Sequence, residues 1–211
     1  NEKTVMNTLQ HIARIISAIF SPMLIPVYTV ALGIKLTYLY TLPSATVWTV
    51  IGWTFLFTAI VPVLGIFLMM KLGIVTDSGL NRQRERMWPY ILAALCYVGC
   101  GLFLRHLHAP AWLYMFLVGG AVAGIVNMVV NFKWKISGHG AAIGGMLAFL
   151  VFLAYNGLNA WPMDGWIFGA ILATGITGTS RLILERHTLL QVAAGTVNGA
   201  VCVWLALMFA V

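Results

Sequence analysis

Residues 111–130 read AWLYMFLVGGAVAGIVNMVV, a run without one charged side chain. At 1.5 Å per residue it matches a hydrocarbon core about 30 Å thick, so a helix of this run crosses a bilayer. Similar apolar runs lie on both sides, near residues 12–33, 46–70, 88–104 and 165–179, with one ending near 155 and the last near 211. The chain is 61% hydrophobic and 8% charged, whereas a soluble domain carries about a quarter charged residues. Alternating segments of a transmembrane β-barrel are not visible. The expected fold is all-α, a polytopic transmembrane bundle of about six to seven membrane helices forming one domain over 1–211. The run at 165–179 is short enough to be partly re-entrant.

Finer features fit this frame. Trp48, Trp88, Trp112, Trp134, Trp161 and Trp166 fall near predicted helix ends, as an interfacial aromatic belt requires, while Trp53 and Trp204 lie deeper. Gly120/Gly124, Gly140/Gly144, Gly165/Gly169 and Gly195/Gly199 repeat at four-residue spacing, which lets helix backbones approach closely. Pro62 predicts a kink in the second run. The first run contains Pro22 and Pro26, is too long for a signal-peptide core, and reads as a retained helix. Cys96, Cys100 and Cys202 sit in apolar runs as buried spectators, with neither disulfide nor zinc spacing.

Polar residues are costly in such a chain, and here they cluster. One group is the loop at 71–87, with Arg82, Arg84 and Arg86. A second is Lys133 and Lys135 ahead of Ser137-Gly138-His139, and a third is Ser180 to His187. Two crossings separate each group from the next, so all three face one side of the membrane. The positive-inside rule alone would collect cations there, and Ser-Gly-His alone is a weak signal. The combination with two histidines points to a convergent anion site. The formal charge of +7 lacks the long basic face of a nucleic-acid binder, so nucleic acid is not an expected partner. Anionic lipid head groups or a phosphorylated substrate are. His106 and His108 follow the third helix and belong to the opposite face as an interfacial pair, and His11 reads as a juxtamembrane surface residue.

Arginine forks match phosphate oxygens, and lysine adds a point charge. Phosphoryl transfer needs positioning, charge neutralisation, a nucleophile and an acid for the leaving group. One histidine can attack phosphorus while the other protonates the departing alkoxide. Only five Asp and Glu are present, so no metal and no cofactor is expected, and the mechanism is expected to be metal-independent.

In these residues the chain resembles the type 2 phosphatidic acid phosphatases, relatives of the vanadium haloperoxidases. That family carries, in order, Lys-x6-Arg-Pro, Pro-Ser-Gly-His and Ser-Arg-x5-His-x3-Asp. Ser180-Arg181 followed by His187 matches the third motif. Ser137-Gly138-His139 matches the second, with Ile136 in place of proline. Arg82 to Arg86 lead to Pro89 as an approximate first motif, with Trp88 at the arginine position. The resemblance implies His187 as nucleophile and His139 as general acid. It implies Arg181, Ser137 and the Gly138 N–H as phosphate donors, and Arg86 with Arg82 as the first motif's cations. Lys135 lies beside the second motif and adds charge toward phosphate.

The departure is Gln191, at the position of the aspartate that orients the nucleophilic histidine. At i, i+4 from His187 it shares a helical face and its oxygen can accept the imidazole N–H, but without negative charge. Glu185, two residues from His187, falls on a different face. The expected function is a membrane lipid phosphatase acting on a lipid phosphomonoester or diphosphate, of phosphatidate, phosphatidylglycerophosphate or polyprenyl-phosphate type, through a phospho-histidine. A non-catalytic lipid-phosphate binder or transporter, or a lipid phosphotransferase, would use the same site. The expected setting is a bacterial inner membrane, with the substrate's tail among the helices.

Overall fold

The computed structural model describes residues 2–76, 85 and 87–210. Arg82, Arg84 and Arg86 lie outside the described residues. The helices are α1 (Glu2–Ile19), α2 (Ile25–Leu36), α3 (Ser44–Phe55), α4 (Val61–Lys71), α5 (Met87–His106), α6 (Ala111–Asn131), α7 (Gly138–Tyr155), α8 (Asp164–Ile183) and α9 (Leu189–Leu207). A π-turn at Leu56–Ile60 joins α3 to α4 just before Pro62. It absorbs the hydrogen bond that proline cannot donate, so Ser44–Lys71 runs as one span. Among the described residues, six helices are long and apolar enough to cross a membrane. The chain is an integral membrane protein built as an all-helical bundle.

The first apolar run is not one continuous helix. It breaks between α1 and α2 at Phe20–Leu24, around Ser21-Pro22. The exposed carbonyls of this break are capped by hydroxyls from two spans: Tyr97 donates to the Pro22 oxygen at 2.6 Å and Thr58 to the Met23 oxygen at 3.1 Å. Thr58 and Tyr97 each lie midway along their spans, so the break sits at mid-membrane depth. Irregular backbone is tolerated there only when the protein satisfies it. The far end of α2 is tied to the loop after α7, where Ala160 N–H donates to the Leu36 oxygen at 2.7 Å.

The run expected to be short is a full span. α8 covers 20 residues and continues through Ser180 and Arg181, which therefore occupy its last turn. It ends in a Schellman motif, with Glu185 N–H to the Leu182 oxygen at 2.9 Å and Arg186 N–H to the Arg181 oxygen at 3.1 Å. Glu185 takes the left-handed position at φ 52°, normally glycine's, at a cost of about 1 kcal/mol.

Glycines set the packing of α7 against α9. A Cβ on Gly140 would meet the Val192 carbonyl oxygen at 2.7 Å, and one on Gly144, Gly195 or Gly199 would collide with Thr196, Ser137 or Ala141 backbone. On α6 a Cβ at Gly119 would likewise lie 2.7 Å from the Val203 Cα, so α6 packs equally close to α9. Gly165 and Gly169 differ from expectation: neither would meet anything within 4 Å, so their spacing is not a packing device. Trp112 also departs from the aromatic belt. It is 4% exposed, edge-on to Tyr38 and tilted against Phe149, because the turn Tyr38–Thr41 and α7 cover it. Overpacking a close helix contact costs about 1–3 kcal/mol or more. Gly199→Val is therefore expected to lower the thermal midpoint sharply in detergent or to prevent recovery of folded protein. Gly169→Ala should leave that midpoint unchanged.

Candidate functional site

A cavity of about 780 Å³ lies between α1, α5, α6, α7 and the α8–α9 turn. At the helix ends it is lined by Arg14, His139, Arg181, Arg186 and His187. Toward the membrane interior it is lined by Met23, Ile25, Phe116, Gly120 and Val203. One chamber thus joins a cationic mouth to an apolar floor.

His187 is buried in the turn before α9, whose N-terminus is closed by a capping box. The Thr188 hydroxyl accepts from Gln191 N–H, and Gln191 Oε1 accepts from Thr188 N–H at 3.3 Å. Gln191 Oε1 also meets His187 Nδ1 at 3.2 Å. A backbone N–H can only donate, so the Gln191 atom facing it is the oxygen. His187 Nδ1 must then carry its proton, so the lone pair of this neutral imidazole is on Nε2. The i, i+4 contact arises from cap geometry rather than from a shared helical face, because His187 precedes the helix.

His139 lies in the first turn of α7 and holds the opposite proton arrangement. Its Nε2 is 3.1 Å from the Ser17 carbonyl oxygen, which can only accept, so this Nε2 bears hydrogen. The cavity is thus lined by one imidazole with hydrogen on Nε2 and another with its lone pair there.

Ser17, which sequence reasoning did not single out, connects three motif residues. Arg181 donates to the Ser17 hydroxyl at 3.4 Å, Ser17 pairs with the Ser180 hydroxyl at 3.2 Å, and Ser180 donates to the Thr177 oxygen at 2.7 Å. Because a guanidinium only donates and a carbonyl only accepts, the chain runs in one direction, from Arg181 through Ser17 and Ser180 to Thr177. Arg14, also on α1, lines the same cavity. Arg14 and Ser17 share a face at i, i+3, a signal hidden by reading the first run as an ordinary span.

Other expected residues separate from the site. Ser137 was expected to donate to phosphate but is fully buried as the N-cap of α7. Its hydroxyl accepts from Gly140 N–H at 3.1 Å and its N–H donates to the Gln191 oxygen at 3.2 Å. It does not line the cavity, because the close α7–α9 contact encloses it, whereas Gly138 does. Lys135 is also absent from the cavity wall. Arg82 and Arg86 lie outside the described residues, although Pro89 and Tyr90 just beyond them line the cavity. Glu185 lines the mouth as an exposed residue, placed there by the Schellman turn rather than by a helical face. Among the described residues no three of His, Cys, Asp and Glu gather as metal ligands.

No family model matches the chain, and neither curated proteins nor solved structures yield a match. The site is therefore read from its own geometry. Ser17→Ala removes the link between Arg181 and Ser180 while keeping the carbonyl that meets His139. Losing one hydrogen bond to a charged group costs about 1.5 kcal/mol. Binding of orthophosphate, measured by displacement of radiolabelled phosphate, is expected to weaken about tenfold in Ser17→Ala.

Proposed function

We propose that this protein is a membrane lipid phosphatase that works through a phospho-histidine. The observation that carries the reading is the complementary proton placement of the two histidines in one cationic cavity above an apolar floor. In this scheme Arg181, Arg186 and Arg14 neutralise the phosphate oxygens. His187 Nε2 attacks phosphorus as the ester P–O bond breaks. His139, acting as an imidazolium, gives a ring proton to the departing oxygen, releasing the alcohol and leaving a neutral imidazole. Water then attacks phosphorus as the N–P bond breaks, the neutral His139 takes the water's proton, and orthophosphate leaves with His187 restored. The apolar floor suits the substrate's hydrocarbon, which need not leave the membrane interior for its head to react.

A neutral Gln191 orients His187 but adds no charge to stabilise a developing imidazolium, and this one feature favours a second reading. In that reading the cavity binds or moves lipid phosphates without hydrolysis. Proteoliposomes distinguish the two, since lipid movement between leaflets without phosphate release supports the second.

Phosphate release from a panel of lipid phosphates in detergent with EDTA is the direct test. Wild type is expected to be active and His187→Ala to fall at least a thousandfold while keeping its thermal midpoint. Equal rates in both would overturn the reading. Gln191→Glu keeps both cap contacts and adds a carboxylate to His187. It is expected to raise kcat several-fold, measured by single-turnover phosphate release.

A further inference from the structure

Asn127 is a polar cavity residue that the phosphate chemistry above leaves unused. It is 1% exposed, on α6, within a membrane span, where an amide is expensive to bury. Its partner is Asn198 on α9. The Asn198 Nδ2 donates to the Ala123 carbonyl oxygen at 3.0 Å and to Asn127 Oδ1 at 3.0 Å, while Asn198 Oδ1 accepts from the Cys202 thiol at 3.3 Å. The Ala123 carbonyl fixes Asn198 with its nitrogen forward, so the Asn127 atom facing that nitrogen must be the oxygen. The Asn127 NH2 is thereby turned away from the pair. Among the described residues this NH2 makes no hydrogen bond within the chain, and Asn127 lines the cavity.

Its depth follows from helix packing. Gly195 abuts Ser137 at the start of α7, and Asn198 lies three residues further along α9. That is about 4.5 Å toward the membrane interior. Asn127 at the Asn198 level therefore sits about one turn below the entrance to α7, on the side of His139 away from the mouth. If His139 protonates the leaving oxygen, the next atoms of the leaving alcohol pass Asn127.

We infer that the Asn127 amide is a specificity subsite, donating to a neutral oxygen carried by the leaving alcohol a few bonds from the scissile phosphate ester. Ester or ether oxygens of a glycerolipid phosphate fit, whereas a plain alkyl or prenyl phosphate offers no acceptor there. A diphosphate would place an anion at a depth where the cavity's cations, gathered at the mouth, do not reach. The inference rests on the phosphatase reading for its direction, with phosphate at the mouth and alcohol below.

The test compares a lysophosphatidate with an alkyl monophosphate of matched chain length, using the full chain in detergent. Wild type should favour the lysophosphatidate in kcat/KM by about tenfold or more, because the alkyl compound leaves a buried donor unmet. In Asn127→Leu that ratio should fall to near one. A merely structural role would lower both substrates together and leave the ratio in place. Should the leucine variant not fold, Asn127→Ala reads the same ratio. An unchanged ratio in a folded variant, or a wild type without preference, would overturn the inference. If no phosphate is released from either lipid, the phosphatase reading fails. The subsite is then judged by the same ratio measured as affinities, through displacement of a fluorescent lipid phosphate.

Discussion

Everything at the site depends on how closely α7 and α9 approach. Between apolar helices in lipid, association has no hydrophobic drive, and close packing must supply it. Gly140, Gly144, Gly195 and Gly199 remove the side chains that would hold the backbones apart. The two helices run in the same direction, so their N-termini meet on one membrane face. One N-terminus carries His139 and the other follows His187. The same contact buries Ser137 against Gly195 and links its N–H to the Gln191 carbonyl. The spacing of the histidines is thus set by glycines that follow each of them in the chain, Gly140 and Gly144 after His139 and Gly195 and Gly199 after His187.

A second constraint is the cost of polar groups at depth. At the site the chain meets it by giving some of them more than one task. Gln191 completes a helix cap and fixes the His187 tautomer with one oxygen. Ser17 offers its carbonyl to His139 and its hydroxyl to Arg181. The broken segment between α1 and α2 exposes carbonyls at mid-membrane, and Tyr97 and Thr58 cover them. That break also lets α1 deliver Arg14 and Ser17 to the cavity while α2 carries the chain on to the opposite face.

The membrane class, most span boundaries and the pairing of Ser137-Gly138-His139 with Ser180-to-His187 were legible from the chain. Hydropathy is a local property, and an even number of crossings returns a loop to the same face. The broken first helix was not legible, because Pro22 and Pro26 mark a disturbance without saying whether the helix bends or stops. Trp112 looked interfacial since its neighbours in space, Tyr38 and Phe149, are distant in sequence. Gly165 and Gly169 repeat the spacing of a packing motif but face no helix, as spacing alone cannot name a partner.

By itself, then, the sequence determined that the chain lies in a membrane and that most of its scarce cations, with His139 and His187, gather on one face. Burial cost leaves apolar runs and polar clusters few other arrangements. Tertiary structure decided which of those polar residues share a cavity. It brought Ser17 and Arg14 in, enclosed Ser137 behind a helix contact, and placed the protons of His139 and His187 on opposite terms. A hydrogen bond's direction depends on what each partner can donate or accept, and those partners are assembled only by the fold.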